Sequence, residues 1–247
     1  MGPASAWLRH RLTPCHFWPE NSIRALTKLA PLHRITLVIA TGNLGKFREI
    51  AALLQDMSVL PLPLDRVGPL ELPPESGESF QENARLKAVA VAKATGYLAL
   101  ADDSGLEVDA LGGRPGVLSA RYGGPGAGDA DRIALLLREL DAVPEPHRTA
   151  RFRCVIAIAE PSGMVRLAEG VCEGRIARGP RGTQGFGYDP IFEIPSLGRT
   201  LAEIAIEAKN RLSHRALALR EAKGIIEHLL GPGRTGSRNS EDRPRGG

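Results

Sequence analysis

The sequence predicts an α/β fold built on a mixed, twisted sheet. Short apolar runs alternate with stretches of helical period between residues 35 and 230. Two long strand-like segments, 152–159 and 165–176, flank a Pro161-Ser162-Gly163 turn and read as a hairpin. A chain of 247 residues, 43% of them hydrophobic, can bury a core in one large domain or two small lobes.

In order along the chain, residues 35–40 form a continuous apolar run ending at Thr41-Gly42, a buried strand that feeds a turn. Phe47, Ile50, Ala51 and Leu54 then share a helical face. Ser79 and Glu82 form a capping box that opens a helix to about residue 94. Residues 98–101 predict a short strand ending in an Asp102-Asp103-Ser104-Gly105 turn. A helix is expected over 131–140, then the hairpin, then a last helix from Ser213 to about Leu230.

Five strings in this framework carry chemistry. Thr41-Gly42-Asn43-Leu44-Gly45-Lys46 joins a strand to a helix. Its glycines let backbone N–H groups approach an anion, the helix N-terminus adds its dipole, and Lys46 adds a charge. It is not a Walker A loop, because the spacing is GxxGK and Phe47 stands where a magnesium-holding Ser or Thr would be. A plain strand-to-helix turn explains it equally well. Asp102 and Asp103 are adjacent carboxylates that repel each other unless a cation or donor is close. Neighbours in an extended chain point to opposite faces, so at most one faces a given ligand; the alternative is an Asp in a glycine-bounded turn. Lys87 follows Asn83 by four residues beside Ala84, Ala88 and Ala92, where a functional or paired lysine competes with a solvated face. Gly185-Phe186-Gly187-Tyr188-Asp189-Pro190 sets two aromatics among glycines, either as a stacking platform for a base or as a plug for the core. Finally, Lys209 precedes Ser213-His214-Arg215. Ser213 is a good N-cap, but basic residues in a first helical turn oppose the macrodipole by about 0.3 kcal/mol or more. That cost points to an anion or carbonyl at this helix start, unless the histidine has no role.

Taken together and in this order, the strings resemble the inosine/xanthosine triphosphate pyrophosphatase family. The likeness runs from about Ile35 to Leu230. It includes Pro115-Gly116-Val117-Leu118-Ser119-Ala120-Arg121-Tyr122, which is similar to that family's PGxxSARY segment, and Arg148-Thr149-Ala150-Arg151-Phe152. The resemblance implies an elongated α/β structure with the active site in a cleft between two lobes, a homodimer, and a cytoplasmic enzyme that uses Mg2+. The implied reaction converts ITP, dITP and XTP to the monophosphate and pyrophosphate, which keeps these bases out of DNA and RNA. It implies that Thr41, Gly42, Asn43, Leu44, Gly45 and Lys46 hold the triphosphate, and that Asp103 is proton acceptor and magnesium ligand. Lys87 stands near the phosphates as a catalytic cation, and Ser104 touches substrate. Phe186, Gly187, Tyr188 and Asp189 hold base and sugar, and Lys209, His214 and Arg215 grip the purine side. Arginine has donors only, so an Arg215 facing purine position 6 would favour the 6-oxo group of inosine and xanthine over the amino group of adenine.

One departure concerns the metal. Many family members have two consecutive acids before the capping box, whereas Pro73-Pro74-Glu75-Ser76-Gly77 offers one. Either Glu75 serves alone or water completes the magnesium shell. A Maf-type nucleotide pyrophosphatase with another base preference shares the chemistry, but the base-loop and Ser-His-Arg strings argue against it. A non-catalytic nucleotide-binding protein is a different class, against which Asp103, Lys87 and Lys46 argue.

The charge distribution narrows the partners. The formal net charge is +4. Residues 1–34 hold Arg9, Arg11, Arg24, Lys28 and Arg34 against Glu20, and residues 231–247 hold four arginines against Glu241 and Asp242. The segment between is therefore slightly acidic, which argues against a nucleic-acid-binding body. Residues 1–34 are expected to be a disordered extension or a misassigned start rather than a targeting signal, because four prolines interrupt any amphipathic helix. Residues 231–247 read as a disordered tail and residues 35–230 as the pyrophosphatase domain. Cys15, Cys154 and Cys172 are far apart and form neither a zinc cluster nor a disulfide scaffold, as suits a reducing cytoplasm. The longest apolar runs are too short to span a bilayer.

Overall fold

The computed structural model describes residues 34–231. The expectations for the N-terminal extension, Cys15 included, and for the C-terminal tail lie outside the described residues. The elements are β1 (Ile35–Ile39), α1 (Leu44–Leu53), β2 (Val59–Pro63), α2 (Phe80–Thr95), β3 (Leu98–Val108), α3 (Asp129–Glu139), β4 (Thr149–Ala159), β5 (Val165–Ile176), β6 (Phe192–Ile194), β7 (Arg199–Thr200), α4 (Ile206–Leu212) and α5 (His214–Leu230). Among the described residues the strands form one sheet in the order β2-β1-β3-β4-β5-β6-β7. β1 is parallel to β2 and β3, and the other pairs are antiparallel. The mixed sheet and the β4–β5 hairpin are as the sequence predicts.

Strand alternation sorts the side chains into layers. Leu37, Ile39, Leu100, Cys154, Ile156 and Ile158 meet α1 and α5 on one face. Val38, Ala40, Ala99, Ala101, Val155 and Ala157 meet α2 on the other. The second face is alanine-rich, as is the α2 surface that covers it, so helix and sheet approach closely. Each fully buried Leu or Ile contributes about 1.5–3 kcal/mol. A further cluster around Phe152, Phe192 and Ile191 packs against α3. Among the described residues no helix is long and apolar enough to cross a membrane.

β3 corrects the sequence reading. The Asp102-Asp103-Ser104-Gly105 string is not a turn at a strand's end; residues 99–108 all pair with β4. Gly105 is required for a different reason. A Cβ there would stand 2.3 Å from the Gly116 carbonyl oxygen and 2.6 Å from Ser119 Oγ, so glycine lets the 3₁₀ segment Gly116–Arg121 lie directly on the strand. Ser119 Oγ accepts from the Leu106 N–H at 2.8 Å and donates to the Gly116 carbonyl at 2.6 Å. β1 stops where Ile39 pairs with Leu100, so residues 102–108 of β3 run past it without a β1 neighbour. That leaves a crevice at the carboxyl end of β1, where ligands of open α/β sheets bind.

The helix starts are set locally. Asn43 Oδ1 caps α1 by accepting from the Lys46 N–H. Ser79 caps α2, but the capping box is half formed, since Glu82 accepts from the Glu78 N–H rather than from that of Ser79. α3 begins at Asp129, two residues earlier than expected, with Asp131 accepting from the Gly128 N–H. Ser213 caps α5 as expected. A Cβ on Gly170 would lie 2.2 Å from backbone atoms of His214 and Ala218, so the first turn of α5 rests on β5 itself.

Candidate active site

The crevice holds a pocket that is partly open to solvent. Both faces of β3 contribute to it. Asp103 belongs to the α2 face and Ser104 to the α5 face, and both line the pocket with Lys46, Glu75, Phe186 and His214.

On the α2 face, Asp103 is buried and accepts from Asn83 Nδ2 at 3.0 Å. Lys87 Nζ donates to Glu75 Oε1 at 2.6 Å and to the Asp102 carbonyl at 2.8 Å, and stands 3.8 Å from Asp103 Oδ1. Asn83 and Lys87 do share a helical face, and it is buried rather than solvated. Burial raises the Asp103 pKa, with Glu75 adding to the rise and Lys87 opposing it. Lys87 is held above its ordinary value, because Asp102, Asp103 and Glu75 outweigh its burial. Two carboxylates therefore share one ammonium within ion-pair reach, and this wall of the pocket carries surplus negative charge.

On the α5 face the balance is different. Asp102 Oδ2 takes Lys46 Nζ at 3.0 Å and Arg215 Nε and Nη2 at 3.2 Å. Ser104 Oγ donates to the same oxygen at 3.3 Å and accepts from Arg215 Nη2 at 3.0 Å. Glu49 pairs with Arg215 Nη1 and, at 3.0 Å, with Lys209 Nζ, which also reaches Asp189 at 2.7 Å. Burial alone would raise the Asp102 pKa, but Lys46, Arg215 and Lys87 hold it well below the carboxylate range. Arg215 is stabilised as a cation despite its burial, chiefly by Asp102.

This network corrects two expectations. The anions that reward basic residues at the start of α5 are the protein's own Glu49 and Asp102. The Arg215 guanidinium is engaged with them and with Ser104, and it lines the pocket together with Lys209. Asp103 is also not an exposed turn residue; it is 5% exposed in mid-strand.

The aromatic string divides. Phe186 lines the pocket, with Lys209 Nζ 5.2 Å and the Arg215 guanidinium carbon 5.8 Å from its ring centre. Gly187, Tyr188 and Asp189 line it as well, but Tyr188 is largely buried among core residues, with its hydroxyl donating to the Ser119 carbonyl at 3.0 Å. Asp189 is buried under Lys209 and accepts from the Phe186 N–H at 2.9 Å. Burial pushes its pKa up, against the pull of Lys209. His214 stacks on Phe152 with ring centres 4.7 Å apart, and its Nδ1 is buried without a partner. Burial, and then the nearby Arg215 and Lys209, keep it neutral.

The Thr41–Lys46 string also divides. Asn43 and Lys46 line the pocket. Thr41, Gly42 and Leu44 face a separate hollow with Phe47, Pro63 and Leu70. Gly45 lies under the Phe186 ring, where an added Cβ would come within 3.3 Å of it.

Sequence reasoning missed Glu49, Asn83 as a site residue, Ser119, Asp129 and Arg132. Glu49 had one available signal, as the sole acid of α1. The fit of a divalent cation rests on the α2 face. Among the described residues no group of three or more His, Cys, Asp or Glu forms a metal cluster, but Asp103 and Glu75 supply two hard oxygen donors with unbalanced charge. That suits magnesium, which keeps several waters and takes few protein carboxylates.

A mixed α/β sheet with a pocket at the carboxyl end of a parallel strand, lined by charged side chains and by Phe186, defines an α/β protein with a ligand-type crevice. The chain belongs to the Ham1 family, whose model matches residues 37–225. It is 51% identical over 193 residues to the dITP/XTP pyrophosphatase of Desulforamulus reducens, covering 78% of this chain and 96% of that one. It is 50% identical over 205 residues to the dITP/XTP pyrophosphatase of Geobacillus kaustophilus, covering 81% and 98%. Among solved structures it is similar to a HAM1 protein from Coxiella burnetii, with a TM-score of 0.71, 44% identity, and 78% and 99% of the chains covered. It is also similar to the nucleoside-triphosphatase / dITP/XTP pyrophosphatase of Mycobacterium abscessus, with a TM-score of 0.61, 39% identity, and 81% and 100% covered.

Proposed function

We propose that the protein hydrolyses the triphosphates of inosine, deoxyinosine and xanthosine to the monophosphate and pyrophosphate with magnesium as cofactor, keeping these bases out of DNA and RNA. The observation that carries the proposal is the two-sided pocket. Asp103 and Glu75, paired with Lys87 behind them, line it together with Phe186 and neutral His214, in a chain that matches relatives named dITP/XTP pyrophosphatase over nearly their full length. The homodimer and the cytoplasmic setting that the sequence resemblance implies belong to the same proposal.

Asp103 takes the proton of the water that attacks the α-phosphorus. Its raised pKa brings it toward the range where a general base works best. Lys87 is anchored by Glu75 and by the Asp102 carbonyl beside Asp103, so its charge is fixed next to the reacting site without reorganisation. Lys46, on the first turn of α1, adds a second cation at the pocket wall. Asp103 and Glu75 would hold magnesium, which when bound neutralises charge on the phosphate oxygens and eases the departure of pyrophosphate. Phe186 offers a stacking face, and neutral His214 offers one donor and one acceptor.

The test is product analysis by phosphorus NMR with ITP, XTP, GTP and ATP, with magnesium and after chelation. The expected product is pyrophosphate, formed only with magnesium, with ITP and XTP far ahead of ATP and GTP between. Stepwise release of orthophosphate through a diphosphate would contradict the scheme.

A further inference from the structure

Two residues of α3 line the pocket without a part in the scheme above, Asp129 and Arg132. They are joined to the base-side loop by a chain of hydrogen bonds. The Gly187 N–H donates to Asp129 Oδ2 at 2.8 Å. Asp129 Oδ1 accepts from Arg132 Nη2 at 2.6 Å, and Arg132 Nη1 donates to the carbonyls of Ala127 at 2.6 Å and Ala120 at 3.0 Å. The chain thus runs from the base loop through α3 to the 3₁₀ segment Gly116–Arg121 that rests on β3. Beside it runs the direct bond from Tyr188 Oη to the Ser119 carbonyl.

The peptide linking Phe186 to Gly187 is the point under control. Its oxygen accepts from the Asp189 N–H at 3.3 Å, and its N–H is taken by Asp129. Gly185 and Gly187, on either side of Phe186, have φ of +79° and +61°. Glycine crosses between conformations at little steric cost, so Gly187, whose φ turns this peptide plane, does not by itself fix it. A peptide flip exchanges a donor for an acceptor, and on a pocket wall that reverses which purine edge is matched. The fixing must come from the groups at the two ends of the peptide. Of these, Asp189 is buried beneath the loop and Asp129 is not, with its side chain 48% exposed at the pocket mouth.

We propose that Asp129, braced by Arg132, is a positioning residue that clasps the Phe186–Gly187 peptide in one orientation and thereby sets the discrimination between 6-oxo and 6-amino purines. The specificity half rests on the function proposed above; the clasp itself does not. Asp129 touches no reacting atom in this scheme, so its loss acts on binding and selectivity rather than on the chemical step.

The experiment compares wild type with Asp129→Ala, Asp129→Asn and Arg132→Ala by hydrogen exchange on the loop peptides, and by steady-state kinetics with ITP and ATP. Exchange at the Gly187 amide is expected to quicken about tenfold or more in Asp129→Ala, the scale of one lost bond to a charged acceptor. Asp129→Asn keeps an oxygen for that N–H and should restore most of the protection, and Arg132→Ala should fall between. For ITP, KM should rise about tenfold with kcat within about twofold, and the ITP/ATP ratio of kcat/KM should fall about tenfold. Unchanged exchange in Asp129→Ala would overturn the clasp. Faster exchange with an unchanged KM and base ratio would overturn its role in selectivity. A wild-type chain that leaves ITP intact would overturn the proposed function and the selectivity role together, while the exchange data would still decide the clasp.

Discussion

One peptide bond separates Asp102 from Asp103, and the two faces of β3 give their carboxylates opposite surroundings. On the α5 face, Asp102, Glu49 and Asp189 are matched by Lys46, Arg215 and Lys209, all but Lys46 nearly inaccessible to solvent. On the α2 face, Asp103 and Glu75 share Lys87. A balanced buried network has little reason to take up a further ion, whereas an unbalanced one lining a pocket does. The comparison therefore assigns structure to Asp102 and chemistry to Asp103, although the sequence presents them as twins.

The largest effect on stability should come from breaking the balanced face. Asp102→Asn leaves buried Arg215 and half-buried Lys46 without their carboxylate, and removing one partner of a buried pair costs about 3–5 kcal/mol. For a domain of this size that lowers Tm by roughly 10 °C, measurable by calorimetry.

The pH dependence sharpens the same contrast. The folded Asp102 pKa lies below the ordinary 3.8, so between the two values the folded state binds fewer protons than the unfolded chain. Its contribution is intact above about pH 4 and is lost as the pH falls through the folded value. The Asp103 pKa is raised, so its protonated form favours the folded state, and that contribution is lost as the pH rises through the folded pKa. Urea titrations of wild type and Asp102→Asn from pH 6 to pH 2 should show the variant with the shallower acid loss. Equal slopes would remove Asp102 from the account.

Smaller effects lie away from β3. Tyr188→Phe removes one bond to the Ser119 carbonyl and should cost about 1 kcal/mol, read from a denaturant midpoint. Arg151→Ala touches a surface ladder with Asp109, Glu107 and Glu173 and should cost no more than about 1 kcal/mol, diminishing in salt. A larger loss at Arg151 would mean that surface charges matter as much as the buried set.

The parts of this fold legible in the sequence were those with a local cause. The hairpin, the N-caps at Ser79 and Ser213, and the shared face of Asn83 and Lys87 each follow from residues within a few positions. β3 was cut short because Gly105 was read as a turn signal, and the reason for that glycine lies in the Gly116–Arg121 segment that rests on it. The ion pairs of Arg215 were not legible because its partner Glu49 lies 166 residues away and Lys209 lies 160 from the same acid. The anchoring of Tyr188 was not legible because nothing near it in sequence reveals the Ser119 carbonyl. The composition of the pocket was legible as a set of motifs, whereas its division into a balanced face and an unbalanced one was not.

The most direct test of that division is Asp103→Asn, assayed for Tm and for kcat on ITP at saturating magnesium. The amide keeps the shape and an acceptor for Asn83 but gives up a buried, incompletely balanced charge. The expected result is a Tm equal to or above that of wild type, with kcat lower by about 10²–10⁴, the range for a lost general base. A kcat close to wild type, or a loss of activity matched by a fall in Tm as large as that of Asp102→Asn, would contradict the assignment of chemistry to one face and structure to the other.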